Sequence, residues 1–166
     1  MDARAAPFAT PDAPPVGEAT PALRLEEYFL GRTLAWGVFQ DRFGKLRRQF
    51  EVVIDGAWDG ETLTLDEQFH YADGERQQRV WRLRRSGPDR WDGRADDVIG
   101  VAHGRIQGNE LSWVYQVRLP IGRNGLVTTF DDRMWLQSGG VMINRATVRK
   151  LGLRIAEATI VFRKAA

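Results

Sequence analysis

From Thr33 onward, apolar and polar side chains alternate with a period of two. In NELSWVYQVRL, Leu111, Trp113, Tyr115, Val117 and Leu119 share one face, while Ser112, Gln116 and Arg118 share the other. That pattern marks a strand with one buried and one wetted face. RQFEVVIDGAW aligns Phe50, Val52, Ile54 and Trp58. TLAWGVFQ aligns Leu34, Trp36 and Val38, and ETLTLDEQFHY aligns Leu63, Leu65, Glu67, Phe69 and Tyr71. Helical spacing fits none of these stretches better.

Glycine-containing turn signals punctuate the strands: DRFGK, WDGE, ADGE, GPDR, QGNE, GRNG and SGG. GVAHG also reads as a turn. The short connections predict antiparallel neighbours and leave no room for crossover helices. We therefore expect an all-β protein, an antiparallel up-and-down β-barrel of about 8–10 strands. Closure removes the free sheet edges. A two-sheet sandwich is the alternative.

Five of the seven prolines fall in the first 21 residues, MDARAAPFATPDAPPVGEATP. This Ala/Pro-rich stretch lacks the apolar content to offset its ordering entropy, so residues 1–22 are expected to form a flexible leader. The barrel domain is expected over residues 23–166. ALRLEEYFLG offers a short helical turn ended by Gly31.

Composition narrows the function classes. The chain of 166 residues suits one domain, with 43% hydrophobic and 28% charged residues. Lys and Arg number 24 against 22 Asp and Glu, interleaved without long runs of one sign. That disfavours a nucleic-acid footprint, which needs a clustered basic face. With no cysteine, disulfides and thiolate chemistry are excluded. The histidines His70 and His103 have no partner at metal-ligand spacing, so no metal site is expected. No serine sits in a nucleophile elbow, and no phosphate loop follows a strand. Asp96 and Asp97, or Asp131 and Asp132, would point to opposite faces if on strands. No cofactor is expected. The six tryptophans are assigned to core packing.

Two hairpins place charge on an apolar face. If Asp73–Glu75 forms a three-residue loop, Phe69 faces Arg79 and Glu67 faces Trp81, making Glu67 and Arg79 diagonal neighbours. If TTFDDRMWLQSGGVMINRATV turns at Gly139 and Gly140, Met134 faces Arg145 and Asp132 faces Thr147. Asp132 and Arg145 then repeat the diagonal acid–arginine pair. Burying such charges in a packed core is costly, whereas a wet or ligand-filled barrel accepts them. Paired charges at a barrel end, or a register slip of one residue, would equally explain the pattern.

Four long stretches carry a resemblance: LAWGVFQDRFGKLRRQFEVVIDGAWDG, LDEQFHYADGERQQRVWRL, GRADDVIGVAHG, and FDDRMW with INRATVRKLGLRIAEATIVFRK. Together they resemble a bacterial family of unknown function whose members are often described as lipoproteins. The resemblance runs from about Leu23 to Lys164 and implies a lipocalin-like (calycin) barrel. It implies no characterised activity. Family members carry a signal peptide and a lipobox cysteine, which this sequence lacks; Arg133 stands where the family tends to have Trp. The leader looks like the spacer that follows a lipobox. A periplasmic or envelope-associated protein with a membrane tether in its precursor is thus expected if an export signal was removed, and a cytoplasmic one otherwise.

The expected function is non-catalytic binding of a hydrophobic small molecule, a fatty acid or lipid, in the barrel. Trp36, Trp81, Tyr115 and Met134 would line the cavity. Arg79 and Arg145 would meet an anionic head group, with Glu67 and Asp132 orienting them. A filled barrel serving envelope assembly is one alternative. An enzyme using Glu67 or Asp132 on a lipid-like substrate is another.

Overall fold

The computed structural model describes residues 21–119 and 123–165. The leader expected over 1–22 lies outside the described residues apart from Pro21 and Ala22. Ten strands follow in chain order: β1 (Gly31–Asp41), β2 (Leu46–Trp58), β3 (Thr62–Tyr71), β4 (Arg76–Arg85) and β5 (Arg90–Arg94), then β6 (Val98–Gln107), β7 (Glu110–Leu119), β8 (Leu126–Leu136), β9 (Val141–Lys150) and β10 (Leu153–Lys164). Each pairs antiparallel with its sequence neighbours, and β10 returns to β1, so the sheet closes. This is the up-and-down barrel that the alternation predicts, not the sandwich, and it has the lipocalin-like form that the family resemblance implies.

One end is plugged. The single-turn helix α1 (Leu25–Tyr28) crosses it, ending before Gly31 at φ 79°. Leu25 is 1% exposed and Phe29 4%, so both apolar side chains of the plug are withdrawn from water. Burial of such side chains stabilises by about 1.5–3 kcal/mol each. The Phe29 ring meets Phe162 edge-on at 6.1 Å. Gly56 makes room for the plug: a Cβ there would lie 1.8 Å from the Phe29 carbonyl oxygen. The Leu23 N–H donates to the Gly108 carbonyl at 2.9 Å, and the Tyr28 hydroxyl to that of Gly140 at 3.1 Å. The other end carries the β1–β2, β3–β4, β5–β6, β7–β8 and β9–β10 connections and forms the mouth.

Three local expectations change. GVAHG is not a turn. It lies within β6, where a bulge between Ile99 and His103 shifts the register around Gly100 at φ 73°. Inside β5 and β6, Gly93 and Gly104 clear space for the Trp113 indole, since a Cβ on either would come within 2.5 Å or less of that ring. In β1, the inward residues are Thr33, Ala35 and Gly37, so Leu34, Trp36 and Val38 point outward. The small residues there yield space to larger rings: a Cβ on Gly37 would lie 2.3 Å from the Phe50 ring. Both charged hairpins also turn differently. The first loop is Ala72–Asp73–Gly74, closed by Tyr71 N–H to Glu75 O at 3.0 Å. That two-residue change of register keeps the same face inward but sets Glu67 directly opposite Arg79. The second loop is Ser138–Gly139–Gly140, one residue longer than expected, with Leu136 opposite Met142.

Candidate functional site: a two-sided barrel cavity

The barrel encloses a cavity of about 490 Å³, within the range of small-molecule sites. Its two walls differ. Below Arg48 at the mouth, β1, β2 and β10 contribute only apolar side chains, among them Phe50, Val52, Ile54, Ile160 and Phe162. The facing wall, from β3, β4, β7, β8 and β9, mixes Trp81, Phe130 and Met134 with Glu67, Arg79, Tyr115, Asp132 and Asn144.

The polar groups are held by packed rings. Tyr115 stacks on Phe130 with centroids 5.3 Å apart, and Trp81 meets Tyr115 edge-on at 5.2 Å. So positioned, the Tyr115 hydroxyl donates to Asp132 Oδ2 at 3.3 Å. Asp132 is 5% exposed and Asn144 2%, and each keeps an Oδ1 with no hydrogen-bond partner. A buried unpaired acceptor is a cost that native structures seldom leave uncompensated. Glu67 borders the cavity and is part-buried. Arg79 grips Asp97, from the β5–β6 turn, with Nε at 3.1 Å from both carboxylate oxygens and Nη2 at 2.5 Å from Oδ2.

Electrostatics follow from this burial. Desolvation pushes the Glu67 pKa from 4.5 up to about 7, against the nearby Arg79 charge. Desolvation likewise raises Asp132 from 3.8 to about 7, with the Tyr115 hydrogen bond and Arg79 opposing it and Glu67 adding to it. Burial drives the Tyr115 phenol well above its ordinary value. For Arg79, burial works against the charge, but the hydrogen bond to Asp97 and the nearby carboxylates outweigh it and hold the guanidinium protonated. At the rim, Arg48 lies 3.6 Å from the Tyr71 ring centroid and pairs with Asp73 at 2.8 Å and Glu75 at 2.7 Å. Both cations of the cavity wall are therefore already engaged by carboxylates. Among the described residues, no cluster of three or more His, Cys, Asp or Glu is arranged to chelate a metal.

Of the residues expected at the site, Glu67, Arg79, Trp81, Tyr115, Asp132 and Met134 line this one cavity. Two do not. Trp36 is 45% exposed on the outer face, where it pairs across with Val161. Arg145 also points outward, its Nη2 donating to Glu157 Oε2 at 2.8 Å on β10. The extra residue in the Ser138–Gly140 loop causes this: Arg145 stands opposite Arg133, and Asn144 takes the inward place. The partner of Asp132 inside the barrel is Tyr115, not an arginine. Asp97 and Asn144 escape a reading by alternation. Asp97 sits in a turn, where period-two logic assigns no face; Asn144 would have emerged from the inward series Met142, Asn144, Ala146 and Val148.

A family model matches residues 6–164. The chain belongs to the family described as Protein of unknown function (DUF3833). No curated protein matches this DUF3833 member. Three solved structures share its fold. The S-type phycobiliprotein lyase CPES from Guillardia theta has a TM-score of 0.61 at 9% identity, over 85% of this chain and 90% of that one. A protein of unknown function from the DUF3598 family of Nostoc punctiforme scores 0.63 at 11% identity, over 87% of this chain and 50% of that one. Rv2717c from M. tuberculosis scores 0.59 at 15% identity, over 90% of this chain and 100% of that one. At such identities the likeness is one of fold.

Proposed function

We propose that this DUF3833 protein binds a largely apolar small molecule inside its barrel, and that the polar end of the ligand is a hydrogen-bond donor or a cation. The observation that supports this is the composition of the two-sided cavity. An apolar wall faces one carrying Glu67, Asp132 and Asn144, while the arginines Arg48 and Arg79 are spent on Asp73, Glu75 and Asp97. A fatty-acid carboxylate would have to displace Asp97 from Arg79 and sit beside two further acids. An amine or hydroxyl head would instead find acceptors in the Glu67, Asp132 and Asn144 side chains that border the cavity. The solved neighbour named a phycobiliprotein lyase suits the idea that such a barrel handles a small molecule.

The test is a matched series of long-chain amine, alcohol and carboxylate of equal chain length, titrated against tryptophan fluorescence. Trp81 and Trp113 line the cavity and report its occupancy. Saturable binding in the order amine, alcohol, carboxylate is expected. Tighter binding of the carboxylate sinks the head-group assignment while leaving a binding barrel. Absence of saturable binding by all three, together with an organic extract of the purified protein that holds no ligand, sinks the binding function itself.

A further inference from the structure

One side of the mouth combines exposed apolar hairpin tips with basic residues. The β1–β2 and β9–β10 hairpin tips are neighbours there, because β1 pairs Asp41 with Ala156 of β10. These tips carry four large apolar side chains left in water: Phe43 is 80% exposed, Leu151 93%, Leu153 71% and Leu46 47%. Basic residues surround them. Arg42, Lys45 and Lys150 are exposed and make no ion pair among the described residues. The acids nearby are already paired, Asp41 with Arg47 at 2.6 Å and Glu157 with Arg145 at 2.8 Å. The β3–β4 tip next to them carries Asp73 and Glu75, both engaged by Arg48, and Asp97 of the β5–β6 turn is engaged by Arg79, so these acids leave Arg42, Lys45 and Lys150 unneutralised.

Leu151 adds an independent sign. It has φ 48°, the one positive φ at a non-glycine position among the described residues. Such a tip position ordinarily goes to Asn or Gly, because a branched side chain is strained there. Leu151 gains no burial in exchange. A strained, fully exposed leucine at a hairpin tip makes sense when its burial partner lies outside the chain.

We propose that these two tips form a membrane-docking face that seats the barrel mouth on an anionic lipid bilayer. Phe43, Leu46, Leu151 and Leu153 enter the interfacial region, and Arg42, Lys45 and Lys150 meet lipid phosphates. The face lies at the end of the barrel opposite α1. It also stands apart from the cavity's ligand: an apolar tip and a basic collar bind lipid whether or not the barrel is loaded.

The experiment is co-sedimentation of the full chain with vesicles of phosphatidylcholine alone, and of phosphatidylcholine with phosphatidylglycerol in equal parts. Binding to the anionic vesicles that weakens with salt is expected, with little binding to the neutral ones. F43S/L151N and K45E/K150E should each weaken that binding by about tenfold or more. Asn is at home in the left-handed region, so L151N alone should leave the thermal midpoint unchanged or higher, separating lost docking from lost folding. Failure of the wild type to sediment with anionic vesicles overturns the proposal, as does wild-type binding by F43S/L151N. A wild-type dimer in sedimentation equilibrium that F43S/L151N converts to monomer overturns it too, by giving the face to self-association.

Discussion

Asp132→Asn should convert a pH-sensitive barrel into a flatter one. The carboxyl is 5% exposed, and burial raises its pKa from 3.8 to about 7. Each tenfold change in proton affinity corresponds to about 1.4 kcal/mol. Carrying the Asp132 charge in the folded protein above pH 7 therefore costs on the order of 4 kcal/mol relative to the unfolded chain. The sign is set by which state holds the proton. Between about pH 4 and pH 7 the folded protein binds more protons than the unfolded one, so stability falls as pH rises and levels off above both values. Glu67, raised from 4.5 to about 7, adds a slope of the same sign. Surface acids act oppositely. Asp55, Asp73 and Asp89 are held below their ordinary pKa and lose their contribution only at lower pH. Wild-type stability should thus peak near pH 4–5. Asn is nearly isosteric and its Oδ1 still accepts from Tyr115. Urea unfolding followed by tryptophan fluorescence should find D132N within about 1 kcal/mol of wild type near pH 5. At about pH 8 the variant should be the more stable protein, by roughly 2–4 kcal/mol. The residual slope belongs to Glu67, and E67Q/D132N should remove it. A D132N variant that loses as much stability between these pH values as wild type refutes the argument.

Two further predictions concern packing and the site's boundary. Gly104→Ala places a Cβ 2.2 Å from the Trp113 ring, with the Leu111 side chain at 3.3 Å on the same side. Overpacking there should cost about 1–3 kcal/mol and shift the tryptophan emission, as denaturant unfolding and a fluorescence spectrum would record. Arg145→Ala and Trp36→Ser lie on the outer face and should leave amine affinity within about twofold of wild type. A loss of about tenfold from either would return that residue to the ligand.

How far the sequence is legible depends on what each position encodes. Long one-sided strands are plain: the inward faces of β3 and β7 follow from Leu63 to Tyr71 and from Leu111 to Leu119, because large side chains recur at every second position, all of them apolar or aromatic except Glu67. The phase of β1 misleads for the opposite reason. Its largest residue, Trp36, faces solvent, while Thr33, Ala35 and Gly37 face inward beneath Phe50 and Phe162. Size marks the buried face only when every strand contributes equally to the filling, and in a barrel the strands share one interior. Loop length is the second blind spot. SGG permits a two- or a three-residue turn, and that single residue exchanges Arg145 for Asn144 inside the barrel.

The same reasoning explains why the interior is not full. The inward positions of β9 and β10 include three alanines, Ala146, Ala156 and Ala158, each at most 5% exposed. Set beside Ala35 and Gly37, they leave the centre of the barrel short of side-chain volume, and large rings reach in from only part of the circumference. Native interiors close such gaps when only packing is at stake, since each missing group forfeits contacts. Here the gap of about 490 Å³ persists beside Glu67 and Asp132, two groups that burial penalises. A filled scaffold has no use for either feature. The binding barrel proposed above would use both, the small residues giving the ligand its volume and the acids giving it an orientation.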